Sequence, residues 1–398
     1  MVKFKIKDNY NLNLITLSIS ILLISILFIL PLAPQSLHYF LWAVVVLINT
    51  FIIIKYLYID KIKNKSLKID VLDISIFLFF IWQILIFIYH KEGFISLLKL
   101  YACVSTMLVL KNIELKKVHF SIIKYIAMIF IISWILNKIG KPIGEGYQAY
   151  FRNPNLLGIY SVNVFVLLWI SKFNIKIIKI LLLFASIYIL LITKARTSYL
   201  QLMIIIFLFC IIYIYENYIF KYKNNYKNYL KIIFIIITTS VILFSILYPS
   251  IHNTEFGDII DEISITLFDK SFFTGRNLIW KSTWDLILKG PIFGHGLNAD
   301  IRNILNMELS THNLYLSVIL QQGFIGFILL INILYQSFKM IITRNKKTTN
   351  IIAVVIISAI VRETFEITLT HNILVAGIFI WFIIGLGLNK KDNFNIES

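Results

Sequence analysis

Charge is scarce in this chain: Asp, Glu, Lys and Arg together make up only 15% of its 398 residues, and 20 acidic groups face 38 basic ones. So few charges cannot cover the aqueous surface of a soluble protein of this length, which excludes an ordinary multidomain globular enzyme. Cysteine is nearly absent. Cys103 and Cys210 both lie in apolar runs, where they behave as small hydrophobes and offer neither a disulfide framework nor a thiolate metal site. Internal repeats and low-complexity linkers are missing too, so nothing divides the chain. What is abundant is apolar: 59% hydrophobic residues, 32 Phe and 21 Tyr, and a mean hydropathy of +0.83. The net charge of +18 does not point to nucleic acid, because the lysines punctuate apolar spans instead of forming one stripe.

A helix needs about 20 apolar residues to cross the hydrocarbon, and a helix satisfies its own backbone there. Twelve such stretches occur, at roughly 14–32, 39–58, 71–89, 94–110, 118–137, 155–171, 174–193, 198–218, 230–249, 313–334, 350–369 and 371–388. Arg362, Glu363 and Glu366 interrupt the pattern near the last boundary. Lys3, Lys5 and Lys7 precede the first stretch, which is longer than a signal-peptide core and lacks a small-x-small cleavage site; it reads as an uncleaved span. The clusters Lys61/Lys63/Lys65/Lys68, Lys111/Lys116/Lys117, Lys172/Lys176/Lys179, Lys221/Lys223/Lys227/Lys231, Lys339/Arg344/Lys346/Lys347 and Lys390/Lys391 fall on alternate connections. Positive charge stays inside, so both termini are expected in the cytoplasm. The fold class is an all-α integral membrane protein of about 12 transmembrane helices. Residues 1–398 form one polytopic domain, and a large extracytoplasmic loop, 250–312 between helices 9 and 10, contributes the active site.

Arginine is used differently from lysine. The chain has 32 Lys and six Arg, and five of the six, Arg152, Arg196, Arg276, Arg302 and Arg362, fall in or near connections expected outside. In a Lys-, Ile- and Asn-rich sequence, the sparing use of Arg points to a need for the guanidinium, whose planar fork binds phosphate bidentately. Arg276 heads "TGRNLIWKSTWDLILKGPIFGHGL". This reads as a helix with Thr274 as its N-cap, Trp280, Trp284 and Ile287 on one face, and Gly290-Pro291 as its stop. Free N–H groups in its first turn favour an anion beside Arg276. The Trp face, Trp280 above all, can rest at the headgroups or stack on a sugar; an interfacial amphipathic helix without chemistry fits the same pattern.

"STHNLYLSVILQQGFIG" opens the tenth span, with Ser310 or Thr311 as its cap, His312 in its first turn as a proton acceptor, Asn313 adjacent, and Gly323 and Gly326 as a small packing surface. "KARTSYL" holds Arg196 in a connection of about four residues. "FRNPNLLG" places Arg152, Asn153 and Asn155 at the start of span six, where polar groups suit sugar hydroxyls or phosphate. Asp258, Asp261 and Glu262 suit a solvated helix better than a metal site. His295 and His371 are secondary proton-transfer candidates.

Taken in order, "FRNPNLLG", "ARTS", "GRNLIW…GPIFGHGL" and "HNLYLSVILQQGFIG" resemble the O-antigen ligase and Wzy-type polysaccharide polymerase superfamily over roughly residues 145–330. The resemblance implies action on a glycan carried by undecaprenyl diphosphate at the outer face of the bacterial cytoplasmic membrane, without metal or other cofactor. It implies that Arg196 and Arg276 hold the diphosphate and that His312 activates the acceptor hydroxyl. Arg152, Asn153, Asn155, Trp280, Asn313 and Arg302 remain as substrate-binding candidates. "KARTS" departs from relatives that carry Ser before the Arg. The expected reaction is polymerisation of repeat units for a surface or capsule polysaccharide. Ligation to a lipid core or protein is the alternative. A lipid-linked glycan flippase is the third reading, but that would carry charges within its spans and paired repeats. A chain-length regulator and a flippase are the implied protein partners.

Overall fold

The computed structural model describes residues 35–55, 69–113, 115–138, 146–151, 153–215, 226–252, 254–268, 271–273, 275–306, 310–344, 347–370 and 374–389. Among them there is no strand. The helices are α1 (Gln35–Lys55), α2 (Val71–His90), α3 (Phe94–Asn112), α4 (Lys117–Lys138), α5 (Pro154–Ile170), α6 (Lys176–Thr193), α7 (Arg196–Ile214), α8 (Tyr226–Ile251), α9 (Glu255–Phe268), α10 (Arg276–Ile287), α11 (Ile301–Leu305), α12 (Leu314–Thr343), α13 (Lys347–Arg362) and α14 (Leu374–Leu388). Eleven of the twelve apolar stretches fall on α1–α8 and α12–α14; the first, 14–32, lies outside the described residues. Seven of these helices are long and apolar enough to cross a membrane. The four shorter apolar ones lie in α1, α5, α13 and α14.

Two of the short helices occupy the centre. α5 and α14 have no polar face; most of α5 and nearly all of α14 are buried, as expected of a helix that is apolar all round. At ~1.5 Å per residue, 15 residues reach only about 22 Å, less than the hydrocarbon thickness. α14 packs along α3, α5 on α6, α13 on α7 and α12 on α2. Close approach of α14 to α3 depends on small residues. A Cβ on Gly385 would stand 2.8 Å from Leu110 Cβ, and one on Gly377 would stand 3.0 Å from Cys103 Sγ. Outer helices keep exposed apolar faces, for instance Ile177, Leu181, Phe184 and Tyr188 on α6, suited to lipid tails.

At one end, α2 begins with a reciprocal capping box between Asp70 and Asp73. Lys111 of α3 reaches both carboxylates, at 2.8 and 2.5 Å, with its side chain fully enclosed. This lysine is thus a sealed ionic staple and does not stand free in a connection. At the other end, the last turns of α6, α8 and α13 meet the first turns of α5, α7, α10 and α12. The Leu314 N–H donates to the Glu363 carbonyl (2.9 Å), and the Tyr147 N–H donates to the Ile192 carbonyl (2.8 Å).

Two boundaries differ from the sequence reading. α13 ends at Arg362, so Glu363 and Glu366 lie in the connection to α14 instead of within a span 350–369. Its described residues, 363–370, are mostly buried, and the Glu363 carboxylate accepts from two of their backbone groups, the Thr368 N–H (2.7 Å) and the Leu369 N–H (3.2 Å). Arg362 donates to Glu363 Oε1 (2.6 Å) and Gln201 Oε1 (2.8 Å), and also to Thr368. Its ionic partner is therefore the adjacent Glu363. Secondly, α12 runs to Thr343 but breaks at Gly323, with φ 67 and ψ −178. The segment "GPIFGH" plugs the break. The His295 N–H donates to the Leu320 carbonyl (2.7 Å), and the Phe324 N–H donates to the Pro291 carbonyl (2.9 Å). Gly323 admits the backbone of a loop here, whereas Gly326 lies against Trp82 of α2.

Candidate active site

α10 begins at Arg276 behind Gly275, whose φ of 78 is a left-handed conformation open to glycine at little cost. No side chain caps the turn, and the sequence-assigned cap, Thr274, lies outside the described residues. The first-turn N–H groups therefore point out beside the Arg276 side chain, an arrangement suited to an anion. Arg276 is half-buried, with its guanidinium carbon 5.6 Å from the centre of the Phe365 ring. Among the described residues its fork takes no hydrogen bond or ion pair. Burial lowers its pKa, Glu366 and Tyr248 raise it, and Arg196 lowers it. The guanidinium stays charged all the same, and Arg196 lies close enough to repel it.

Arg196 is the first residue of α7, exposed, after a turn of only Lys194 and Ala195. This is tighter than the four residues suggested by the sequence. Lys194 closes α6 in a left-handed conformation, and Thr193 Oγ1 accepts from the Ala195 N–H (3.2 Å). Gly158 of "FRNPNLLG" explains why this motif and "KARTS" occur together. A Cβ there would stand 2.7 Å from Ala195 Cβ, so the missing side chain lets α5 seat the turn that presents Arg196.

His312 precedes α12 in a left-handed conformation (φ 43). The cap of α12 is Asn313, not Ser310 or Thr311, and His312 stands just outside the helix instead of in its first turn. Asn313 Oδ1 accepts from the Leu316 N–H (3.0 Å), and its Nδ2 donates to Ser245 Oγ (2.9 Å). Fully buried, Asn313 fixes the backbone next to His312. On the other side of His312, the Thr311 carbonyl accepts from Trp280 Nε1 (2.8 Å). Trp280 is 0% exposed and packed against Tyr248 at 4.5 Å between ring centres. Its indole thus faces protein, because the Trp face of α10 packs inward on α8 and α12. The His312 ring is half-buried and takes no hydrogen bond among the described residues. Burial first, then Arg276 and Arg302, lower its pKa, while Asp300 opposes them. At neutral pH the ring is uncharged and free to accept a proton.

The other candidates divide. Arg302 is engaged by Asp300 through Nε (3.1 Å to each oxygen) and Nη2 (2.6 Å), so its fork is occupied, although its charge is felt at His312. Asn153 caps α5 by accepting from the Leu156 N–H (2.9 Å). Asn155 Nδ2 donates to Glu366 Oε1 at 3.4 Å. His295 Nε2 pairs with the Leu286 carbonyl at 2.8 Å and braces the plug. Asp261 caps the 271–273 turn, accepting from Ser271 Oγ and the Phe272 N–H, both at 2.6 Å, which lowers its pKa. Among the described residues no group of three or more potential ligands could hold a metal. Arg152 and His371 lie outside the described residues.

The sequence reading passed over Phe365 and Glu366 as site residues. Glu366 is 5% exposed, and burial lifts its carboxyl to about 7, with Glu363 adding to the rise while Arg276 and Arg362 oppose it. The signal was present in the sequence, since ionisable groups inside an apolar run are rarely idle.

No curated protein matches the chain. The family model described as O-antigen ligase matches residues 181–331, the stretch from α6 to beyond the break in α12 that carries Arg196, Arg276, Arg302 and His312. Over those residues the chain is similar to the O-antigen ligase family, consistent with the O-antigen ligase and Wzy-type superfamily.

Proposed function

We propose that this protein is a membrane glycosyltransferase that polymerises lipid-linked repeat units at the outer face of the bacterial cytoplasmic membrane. The observation that carries the reading is the Arg276 fork, unengaged among the described residues at a helix start that none of them caps by a side chain, with Arg196 and an uncharged His312 both within its electrostatic reach. The donor diphosphate, a dianion, lies against Arg276, the first-turn N–H groups of α10 and Arg196. An acceptor hydroxyl attacks C1 of the donor sugar from the face opposite the diphosphate. The new C1–O bond forms as the bond from C1 to the diphosphate oxygen breaks, and the hydroxyl proton passes to a ring nitrogen of His312. Undecaprenyl diphosphate leaves with the bonding electron pair, and the anomeric configuration inverts.

The two guanidinium groups and the oriented N–H groups stabilise charge where it develops on the leaving group, the task a divalent ion performs elsewhere. Trp280 and Asn313 act as positioning residues that hold the backbone on either side of His312.

Polymerase and ligase differ only in the acceptor. The matching family's description, O-antigen ligase, supports ligation as the second reading. Reconstituted protein given only the lipid-linked repeat unit distinguishes them. A ladder of multiples supports the polymerase; single transfers that require an added lipid-core or protein acceptor support the ligase.

A further inference from the structure

Glu366 stands in an unusual place for an acid. The connection after α13 is pinned by Arg362, Glu363, Gln201 and Thr368, and this fixes Phe365 beneath the Arg276 guanidinium at 5.6 Å. The next residue, Glu366, is nearly enclosed, with one oxygen on Asn155 of α5 and no other hydrogen bond among the described residues. The groups facing it are Arg276 of α10 and Arg362 and Glu363 at the end of α13. Arg196 and His312 reach the same place through Arg276. Arg362 is already matched by Glu363 at 2.6 Å. In the empty site, then, an ionised Glu366 is the countercharge that offsets the repulsion between Arg276 and Arg196.

A diphosphate arriving at Arg276 reverses this balance. It supplies the negative charge itself and would meet an ionised carboxylate in a poorly hydrated enclosure, where like charges are weakly screened. We propose that Glu366 is a functional residue of the site that, above neutral pH, is ionised when the site is empty and takes up one proton from solvent when the donor diphosphate binds Arg276. This rests on the diphosphate reading given above. Release of the diphosphate returns the proton to solvent, and Glu366 again neutralises Arg276. The carboxyl is suited to the exchange because burial already places it near neutrality, at about 7. Asn155 can hydrogen-bond either form, donating to the carboxylate or accepting from the acid.

The sign follows. Donor binding requires the protonated acid, so affinity is full well below pH 7, falls as pH rises through it, and approaches a tenfold loss per unit only well above it. Between pH 6.5 and 8.5 the loss is roughly 25-fold. The probe is a short prenyl-diphosphoryl-N-acetylglucosamine, a diphosphate diester whose own charge is constant over that range. Titration calorimetry of the whole protein in nanodiscs gives Kd against pH, and two buffers of different ionisation enthalpy give the protons exchanged. Wild type should lose about 25-fold and take up close to one proton at pH 8. Glu366→Gln, the neutral isostere, should bind at every pH as wild type does at pH 6.5, with no proton uptake.

A flat wild-type profile without proton uptake overturns the proposal whether or not the variant folds. So does a Glu366→Gln protein that keeps the wild-type slope. Arg276→Ala separates the two claims: if it binds the probe as wild type does, the diphosphate reading itself fails, whereas a large loss together with an unchanged slope in Glu366→Gln overturns only the role of Glu366.

Discussion

Trp280→Phe tests whether the buried indole positions His312 or contacts sugar. Trp280 is fully enclosed, and its Nε1 is the donor to the Thr311 carbonyl, one residue before His312. Phenylalanine keeps most of the packing against Tyr248, at 4.5 Å, but it has no N–H, so a buried carbonyl is left without this donor. That loss is worth about 1–3 kcal/mol of stability, and full truncation to Ala about 3–5 kcal/mol. The functional effect should be larger than the stability loss suggests. With Thr311 released, His312 is held from one side only, by the Asn313 cap, and a misplacement of about 1 Å in a catalytic group costs on the order of 10²-fold. We expect Trp280→Phe to lower kcat by about 10- to 100-fold with donor KM changed less than about threefold. The assay is single-turnover transfer in nanodiscs, with the melting temperature measured alongside. A raised donor KM with normal kcat would refute the reasoning and return the indole to the sugar.

Arg276→Lys retains charge but not the bidentate fork; polymer length at equal membrane level should match that of Arg276→Ala, and full-length polymer from the Lys variant would reduce Arg276 to a simple cation. Transfer by purified protein should persist in excess EDTA, since the charge on the leaving group is met by arginines; activity lost in EDTA and restored by Mg²⁺ or Mn²⁺ would contradict this. Gly323→Ala should destabilise severely, because the added Cβ would lie 1.8 Å from the Ile292 carbonyl oxygen at a φ of 67. A melting temperature within a few degrees of wild type would show that the plugged break in α12 is not a fixed feature.

Much of the helical frame was legible in the sequence because the apolar stretches are long and Lys marks their ends. Arg196, Arg276 and His312 could be nominated from the sequence because sparse Arg and a His before a helix stand out against a Lys-rich apolar background, and the structure places Arg196 and His312 within electrostatic reach of Arg276. What escaped did so for physical reasons. A Trp at i, i+4 on a short helix looks the same whether its face meets lipid, sugar or protein, so the burial of Trp280 depends on α8 and α12, which no local pattern reveals. Gly323 and Gly326 read together as a small packing surface, and only the backbone conformation separates the break from the helix contact. The sequence also conceals that the Arg302 fork is taken by Asp300, two residues earlier, through the cap of a five-residue helix. Glu366 stood out as an acid inside an apolar run, but its place beside Arg276 depends on α13 ending at Arg362, which the run alone does not reveal.

The central claim is that an uncharged His312, held beside Arg276, takes the acceptor proton, and single-turnover transfer by His312→Gln and His312→Asn measures it most directly. Neither amide accepts a proton at neutral pH, and Asn tolerates the left-handed backbone at φ 43, which separates chemistry from backbone strain. Both variants should bind donor within about twofold of wild type and transfer it about 10²- to 10⁴-fold more slowly. The wild-type rate at saturating donor should rise with pH to a plateau below neutrality, because the His312 pKa is lowered. Near-normal transfer by either variant would contradict the assignment.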